Sequence, residues 1–132
     1  MRSTRIITAF IKNNKKILIL KRSSKVRSMK GLWAGVSGII ENNEKPLDRA
    51  KIEIFEEIGI EKVSLTKKIE KMIISSPQYE NHQWEVFSFL FETEETEVKL
   101  NWENSEFKWI QSDEIKNYET VPNLDRILFN LL

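Results

Sequence analysis

With 132 residues, 40% of them apolar and 31% charged, the chain suits one domain over 1–132, and neither two domains nor a disordered segment. It has no cysteine and a single histidine, which excludes a disulfide scaffold, a thiolate metal site, a cysteine nucleophile and a multi-histidine site. The net charge of +1 conceals an asymmetry: residues 1–40 carry ten Lys or Arg and no acid, whereas residues 41–132 carry eleven basic and twenty acidic residues.

The first elements in the chain are two β-rich runs, 5–11 and 16–22, separated by Lys12-Asn13-Asn14-Lys15, whose asparagines tolerate the positive φ of a tight turn. They predict a β-hairpin. A basic loop over 23–35 follows, and then a short strand over 36–40. Pro46 suits the first position of a helix and Gly59 the position just past its end, so a helix is expected over 46–58. At ~100° per residue, Leu47, Ala50, Ile54 and Ile58 form one stripe, the face expected to pack on the sheet. Strands are expected at 63–74, 84–92 and 107–110, and Val86, Phe87, Phe89, Leu90 and Phe91 are too apolar for a strand with one exposed face. Ser112 can cap a helical turn starting at Asp113, and Asn123 a last helix with Leu124, Ile127, Leu128 and Leu131 inward. No apolar run approaches the ~20 residues that span a bilayer, and the N-terminus lacks the apolar block of a signal peptide. A cytoplasmic protein with no membrane partner is expected.

The chemistry concentrates on the 46–58 helix. Glu53, Glu56 and Glu57 stand at i, i+3 and i+4 and share one side of it, beside the apolar stripe. Each like-charge pair at such spacing costs ~0.2–0.5 kcal/mol, and acids in a last turn oppose the helix dipole by ~0.3–1 kcal/mol. A solvated acidic face is one reading; a divalent cation is the other, since hard oxygen ligands at about 2.1 Å turn repulsion into coordination. The glycines favour the second. All four, at 31, 35, 38 and 59, flank this helix, three before it and one after, and glycine lets main chain approach a ligand closely. A basic N-terminal third suits phosphates and clustered carboxylates suit a cation, so together they suggest a metal–phosphate substrate.

From Gly38 to Ile60 the chain reads GIIENNEKPLDRAKIEIFEEIGI, which resembles the 23-residue Nudix box, G-x5-E-x7-R-E-U-x-E-E-x-G-U with U apolar. Gly38, Glu44, Glu53, Ile54, Glu56, Glu57, Gly59 and Ile60 fall in register, and the strand order resembles a Nudix fold over nearly the whole chain. The resemblance implies an α/β/α sandwich with a mixed β-sheet, and a hydrolase that splits nucleoside diphosphates linked to another moiety X with Mg²⁺, or Mn²⁺ in its place. One position departs: Ile52 stands where the family has an Arg that pairs with the box glutamates. Lys51 is about 100° away around the helix and Arg49 one turn earlier, so neither is expected to substitute without a shifted side chain. Reduced activity is therefore expected. Shorter stretches, Trp33-Ala34-Gly35-Val36-Ser37-Gly38, 102–109 and Thr120-Val121-Pro122, resemble Nudix domains associated with archaeal-type initiation-factor-2B-related proteins.

Carried over position by position, the resemblance implies Glu56 and Glu57 as principal metal ligands, Glu53 as a ligand or the group that activates water, and the Ser37 carbonyl as a further oxygen. Glu103 is implied as a late metal ligand or base, with Glu106 the alternative. On the substrate side it implies Arg22 over the phosphates, with Lys21 and Arg27 assisting, and the box positions Gly38 and Glu44. Trp33 either stacks on a base or closes the core. Pro77, Tyr79, His82 and Trp84 lie where substrate-selecting groups arise. The partner implied is a small-molecule diphosphate, with a nucleotide or sugar-phosphate sensor as the alternative. A homodimer is expected from exposed strand edges and tryptophans. No aromatic platform is interleaved with the basic residues of 12–30, which speaks against a nucleic-acid partner.

Overall fold

The computed structural model describes residues 2–75 and 80–132; Pro77 and Tyr79 lie outside the described residues. Seven strands form one mixed sheet: β1 (Arg2–Asn13), β2 (Lys16–Arg22), β3 (Trp33–Ala34), β4 (Val36–Ile39), β5 (Ser64–Ser75), β6 (His82–Glu92) and β7 (Asn104–Ile110). Helix α1 (Pro46–Ile58) joins β4 to β5, and α2 (Leu124–Leu131) ends the chain.

Strand β1 organises the sheet. Along one edge it pairs in parallel with β6, from Arg2↔His82 to Lys12↔Glu92. Along the other it pairs antiparallel with β4 over Ile6–Ala9 and with β2 only at Lys12 and Asn13. The sheet thus splits where β1 passes from one partner to the other, and the split faces α1. The parallel neighbour also explains why β1 starts at Arg2, three residues before the apolar pattern begins. Likewise β7 starts at Asn104, because β2 pairs with it as far as Arg22↔Asn104 through a register shift after Lys21. Trp33 and Ala34, expected in the 23–35 loop, form a short strand against Lys21 and Leu20.

Period-two alternation distributes the core between two faces. Ile7, Ala9 and Ile11 of β1, Leu18 and Leu20 of β2, and Phe89 and Phe91 of β6 pack with Ala50, Ile54 and Ile58 of α1. Phe10, Ile17, Ile19, Val86 and Leu90 point the other way, onto Ile115 and the inward stripe Leu124, Ile127, Leu128 and Leu131 of α2. The layers are helix, sheet, helix. Leu47 is only half-buried but packs against the same cluster as the rest of its stripe. Among the described residues, no helix is long and apolar enough to cross a membrane.

The ends of α1 follow the punctuation. Pro46 opens the helix, and Gly59 closes it at φ 73°, donating its N–H to Phe55 O at 3.0 Å. Two caps differ from expectation. Gln111, not Ser112, precedes the 3₁₀ turn Ser112–Asn117 as its cap, its backbone N–H donating to Glu114 Oε1 at 2.8 Å and its carbonyl accepting from the Glu114 N–H at 3.0 Å. Asn123 precedes α2 at φ 65°, and its carbonyl, not its side chain, takes the first helical N–H from Ile127. Since Ile54 is fully buried between α1 and the sheet, Ile54→Ala should lower unfolding free energy by about 2–5 kcal/mol in denaturant titration.

Candidate active site

Helix α1 turns one flank toward the split in the sheet, and its acids are sorted by depth there. Glu53 and Glu57 are buried, whereas Glu56, one position before Glu57, is exposed. Glu103, at the end of the loop entering β7, meets the buried pair: one carboxylate oxygen from each of Glu53, Glu57 and Glu103 lies within 4.8 Å of the others. The sequence-predicted triad of one helix thereby becomes a cluster of two helix acids and one loop acid. Glu56 stays outside it, near enough to raise the Glu53 pKa. Glu106, the alternative to Glu103, lies on the exposed face of β7 and pairs with Lys21 at 3.3 Å.

Each clustered carboxylate is held by neighbours. Asn104 Nδ2 donates to Glu57 Oε1 at 3.1 Å, while Glu57 Oε2 is buried and accepts no hydrogen bond. The Ser37 backbone N–H also favours the ionised Glu57. Asn101 steadies Glu103: its Oδ1 accepts from the Glu103 N–H at 3.0 Å, and Ser23 N–H donates to the Glu103 carbonyl at 2.8 Å. Gly38 leaves room for Glu53, since a methyl group on its Cα would overlap the Glu53 carboxyl. Glu44 is not in the cluster but accepts from the Glu41 N–H at 2.8 Å and from Arg49.

The structure corrects one expectation at this point. Arg49 makes the contacts that Ile52 cannot: Nε donates to Glu44 Oε1 at 3.0 Å, Nη2 to Glu44 Oε2, and Nη1 to Glu53 Oε2 at 3.0 Å. The i,i+4 spacing puts Glu53 directly over Arg49, and the long guanidinium stem covers the remaining angle. Ile52 is instead 41% exposed.

Burial and mutual repulsion set the charges. Burial pushes the Glu57 carboxyl well above the ordinary range, with Glu103 and Glu53 adding, while Asn104 and Ser37 oppose the shift. Glu53 is raised too, first by burial and then by Glu56 and Glu103, against the pull of Arg49. Arg22, at the end of β2, donates from Nε to Ser28 O at 3.1 Å; burial lowers its pKa, and Glu57 and Glu103 counter that. Two buried acids and one half-buried, with one carboxylate oxygen lacking any donor, fit a hard divalent cation such as Mg²⁺ or Mn²⁺.

A cavity of about 430 Å³ opens beside the cluster. Arg22, Ser37, Gly38, Glu53 and Glu103 form its charged end, and Ile6, Ile74, Trp84, Val86, Leu124 and Ile127 its apolar end. Ser28 and Met29, from the basic loop, line it as well, while Arg27 of the same loop is exposed. His82 meets Thr4 Oγ1 at 2.7 Å and lies edge-on to Trp84. Trp33 sits in the α2-side core, edge-on to Tyr118, and does not line the cavity although Ala34 and Gly35 do. Sequence reasoning missed Asn101 and Asn104. Their only signal was position, flanking Glu103 on either side.

Two outcomes follow. Gly38→Ala should fold, because a flexible carboxylate can swing aside, but should weaken Mn²⁺ binding about tenfold in a titration of free Mn²⁺ by electron paramagnetic resonance. Because the Glu57 pKa is raised in the fold, the folded state binds more protons than the unfolded one between the ordinary carboxylate range and that raised value. Stability therefore falls as pH rises through that window. In EDTA at pH 8, Glu57→Gln should melt above wild type, with the gap closing as pH drops into the ordinary carboxylate range. Added Mn²⁺ should raise the melting temperature of wild type and leave that of the variant nearly unmoved.

Known proteins share this arrangement of elements. The chain is 30% identical over 111 residues to the RNA pyrophosphohydrolase of Bartonella bacilliformis, a stretch covering 70% of this chain and 62% of that protein. It thus spans about three fifths of the length of the curated relatives it matches. Among solved structures, the MutT protein from Methanosarcina mazei superposes with a TM-score of 0.77 at 24% identity, over 98% of this chain and 91% of that one. A C. elegans Ap4A hydrolase superposes with a TM-score of 0.74 at 16% identity, over 98% and 93%. The NUDIX domain family matches residues 2–131, and across that span, nearly its whole length, this chain belongs to the NUDIX family.

Proposed function

We propose that the protein is a divalent-metal-dependent hydrolase that splits a phosphoanhydride bond in a nucleoside diphosphate linked to another moiety. The carrying observation is the cluster of buried Glu53 and Glu57 with half-buried Glu103, one carboxylate oxygen of each within 4.8 Å of the others, whose Glu53 and Glu103 line a cavity together with Arg22. Glu53, Glu57 and Glu103 would hold the cation, with the Ser37 main chain beside them. When bound, a divalent cation offsets phosphate charge and makes water more acidic.

The chain's own groups do the rest. Arg22, half-buried and flanked by Glu57 and Glu103, faces the space where phosphate oxygens would sit, so its guanidinium can neutralise charge that builds up on them. Asn104 keeps Glu57 from rotating, and Asn101 keeps the main chain of Glu103 in place. Glu103, the one acid of the three that is only half-buried, would take a proton from water on its free oxygen as the water oxygen bonds to phosphorus and the bridging P–O bond breaks. The departing phosphate would leave with the bridging oxygen, its charge met by Arg22. The apolar end, formed by Ile6, Trp84, Val86 and Ile127, suits the uncharged part of a nucleotide and keeps bulk water out.

A second reading is favoured by one observation, the family relatives named RNA pyrophosphohydrolase. In it, the diphosphate belongs to the 5′ end of an RNA, and the loop carrying Lys25, Arg27 and Lys30, whose Ser28 and Met29 border the cavity, meets the following phosphates. Product release should be measured across nucleoside triphosphates, ADP-ribose, dinucleoside polyphosphates, nucleotide sugars and a short 5′-triphosphorylated RNA. Metal-dependent turnover on at least one of these is expected, reduced about 100-fold or more by Glu57→Gln. Full turnover in Glu57→Gln would refute the assignment. Preference for the RNA, with activity falling steeply as salt rises, would select the second reading.

A further inference from the structure

Arg49 occupies a costly place for an arginine. It lies near the start of α1, where a cation opposes the helix dipole, and it precedes Glu53 in the less favourable order for an i,i+4 pair. Helix stability alone does not select it. Its side chain is nonetheless largely buried and spends three donors on two carboxylates. One of these, Glu44, is itself tied to the backbone through the Glu41 N–H at 2.8 Å. The other, Glu53, lies against Gly38 and belongs to the three-acid cluster. A continuous path therefore runs from the β4–α1 loop through Glu44 and Arg49 to one carboxylate of the cluster.

We propose that Arg49 is the positioning residue of the metal site: anchored by Glu44, it fixes the Glu53 carboxylate in the direction that lets Glu53, Glu57 and Glu103 close on one cation. This rests on the reading of the cluster as a divalent-metal site. Arg49 also lines the cavity, but its three side-chain donors go to Glu44 and Glu53, so its hold on the cluster runs through Glu53. The planar guanidinium is essential to the arrangement, since a single ammonium cannot grip Glu44 with two parallel bonds while also reaching Glu53. Ile52 is free to be apolar because the anchoring contact is made one turn earlier.

Positioning and plain charge predict opposite signs, which makes the idea testable without turnover. Removing a cation from beside a metal site should tighten Mn²⁺ if Arg49 contributed only its charge. Removing the anchor should loosen it. Mn²⁺ dissociation constants should be measured by electron paramagnetic resonance for full-length wild type, Arg49→Ala, Arg49→Lys, Glu44→Gln and the Glu44→Gln/Arg49→Ala pair, with thermal melts confirming the fold of each. Expected is a loosening of about tenfold in Arg49→Ala. Arg49→Lys and Glu44→Gln should loosen as well, and the double variant should be no worse than Arg49→Ala, because all act through one path. If Arg49→Ala proves unfolded, Arg49→Lys and Glu44→Gln carry the same comparison. Folded variants with unchanged or tighter Mn²⁺ binding would overturn the role of Arg49 while leaving the metal site standing. Wild type that binds no Mn²⁺ would overturn both.

Discussion

Everything at this site depends on keeping like charges together out of water. Glu53 and Glu57 are buried, Glu103 is half-buried, and their oxygens lie within 4.8 Å. In a low-dielectric setting the charged forms of Glu53 and Glu57 are penalised by burial and again by their neighbours. The raised carboxyl pKa values of Glu53 and Glu57 are the direct expression of that conflict. A fold keeps such a cluster only if other groups compensate, and three different kinds do so: Arg49 by ion pairing, Asn104 by a neutral hydrogen bond, and Arg22 by charge alone. They are unequal. Arg49 and Asn104 bond to the carboxylates directly, whereas Arg22 bonds to the Ser28 carbonyl and acts on Glu57 and Glu103 through space.

The scaffold makes this conflict tolerable by sheet topology. Because β1 has β6 along one edge and divides the other between β4, up to Ala9, and β2, from Lys12, the sheet divides at the buried Phe10 and Ile11, which pair on that edge with neither. Helix α1 then needs little intrinsic propensity, since Ala50, Ile54 and Ile58 clamp it to the sheet through surface taken fully out of water. That clamp fixes the rotation of the helix. Once the apolar stripe is seated, Glu53 and Glu57 have no direction left except the split, and Glu56, 100° from Glu57, must face solvent.

Features carried by local chemistry were therefore legible in the sequence. Pro46 and Gly59 set both ends of α1, and the inward residues of α2 followed from spacing. The layer order was also readable; of the box acids read in register with the family pattern, Glu53 and Glu57 meet in the cluster while Glu56, read as a principal ligand beside Glu57, lies outside it. Features carried by contacts between distant parts of the chain were not. Asn104 owes its role to Glu57, 47 residues earlier, and nothing in a single sequence reports that meeting. The early starts of β1 and β7 arise from partner strands and not from their own polar residues. Arg49 was misjudged for a different reason: a helical wheel treats side chains as radial spokes, while an arginine lies along the helix surface and reaches a neighbour one turn away.

The placement of Arg49 also bears on what a family pattern records. A motif written position by position treats Ile52 as a loss, although in this fold the Arg49 guanidinium spans Glu44 and Glu53. At position 49 it does so at a small local cost in dipole energy. It has one further consequence. The arginine approaches Glu53 from the N-terminal side, beneath the β4–α1 loop, so its charge and bulk are kept away from the C-terminal side of the cluster, where Glu57 Oε2 lacks a donor. Pairing at Glu53 and openness at Glu57 are complementary: one acid is anchored so that the others can be left with unmet demand, and unmet demand at a carboxylate is what a cation satisfies.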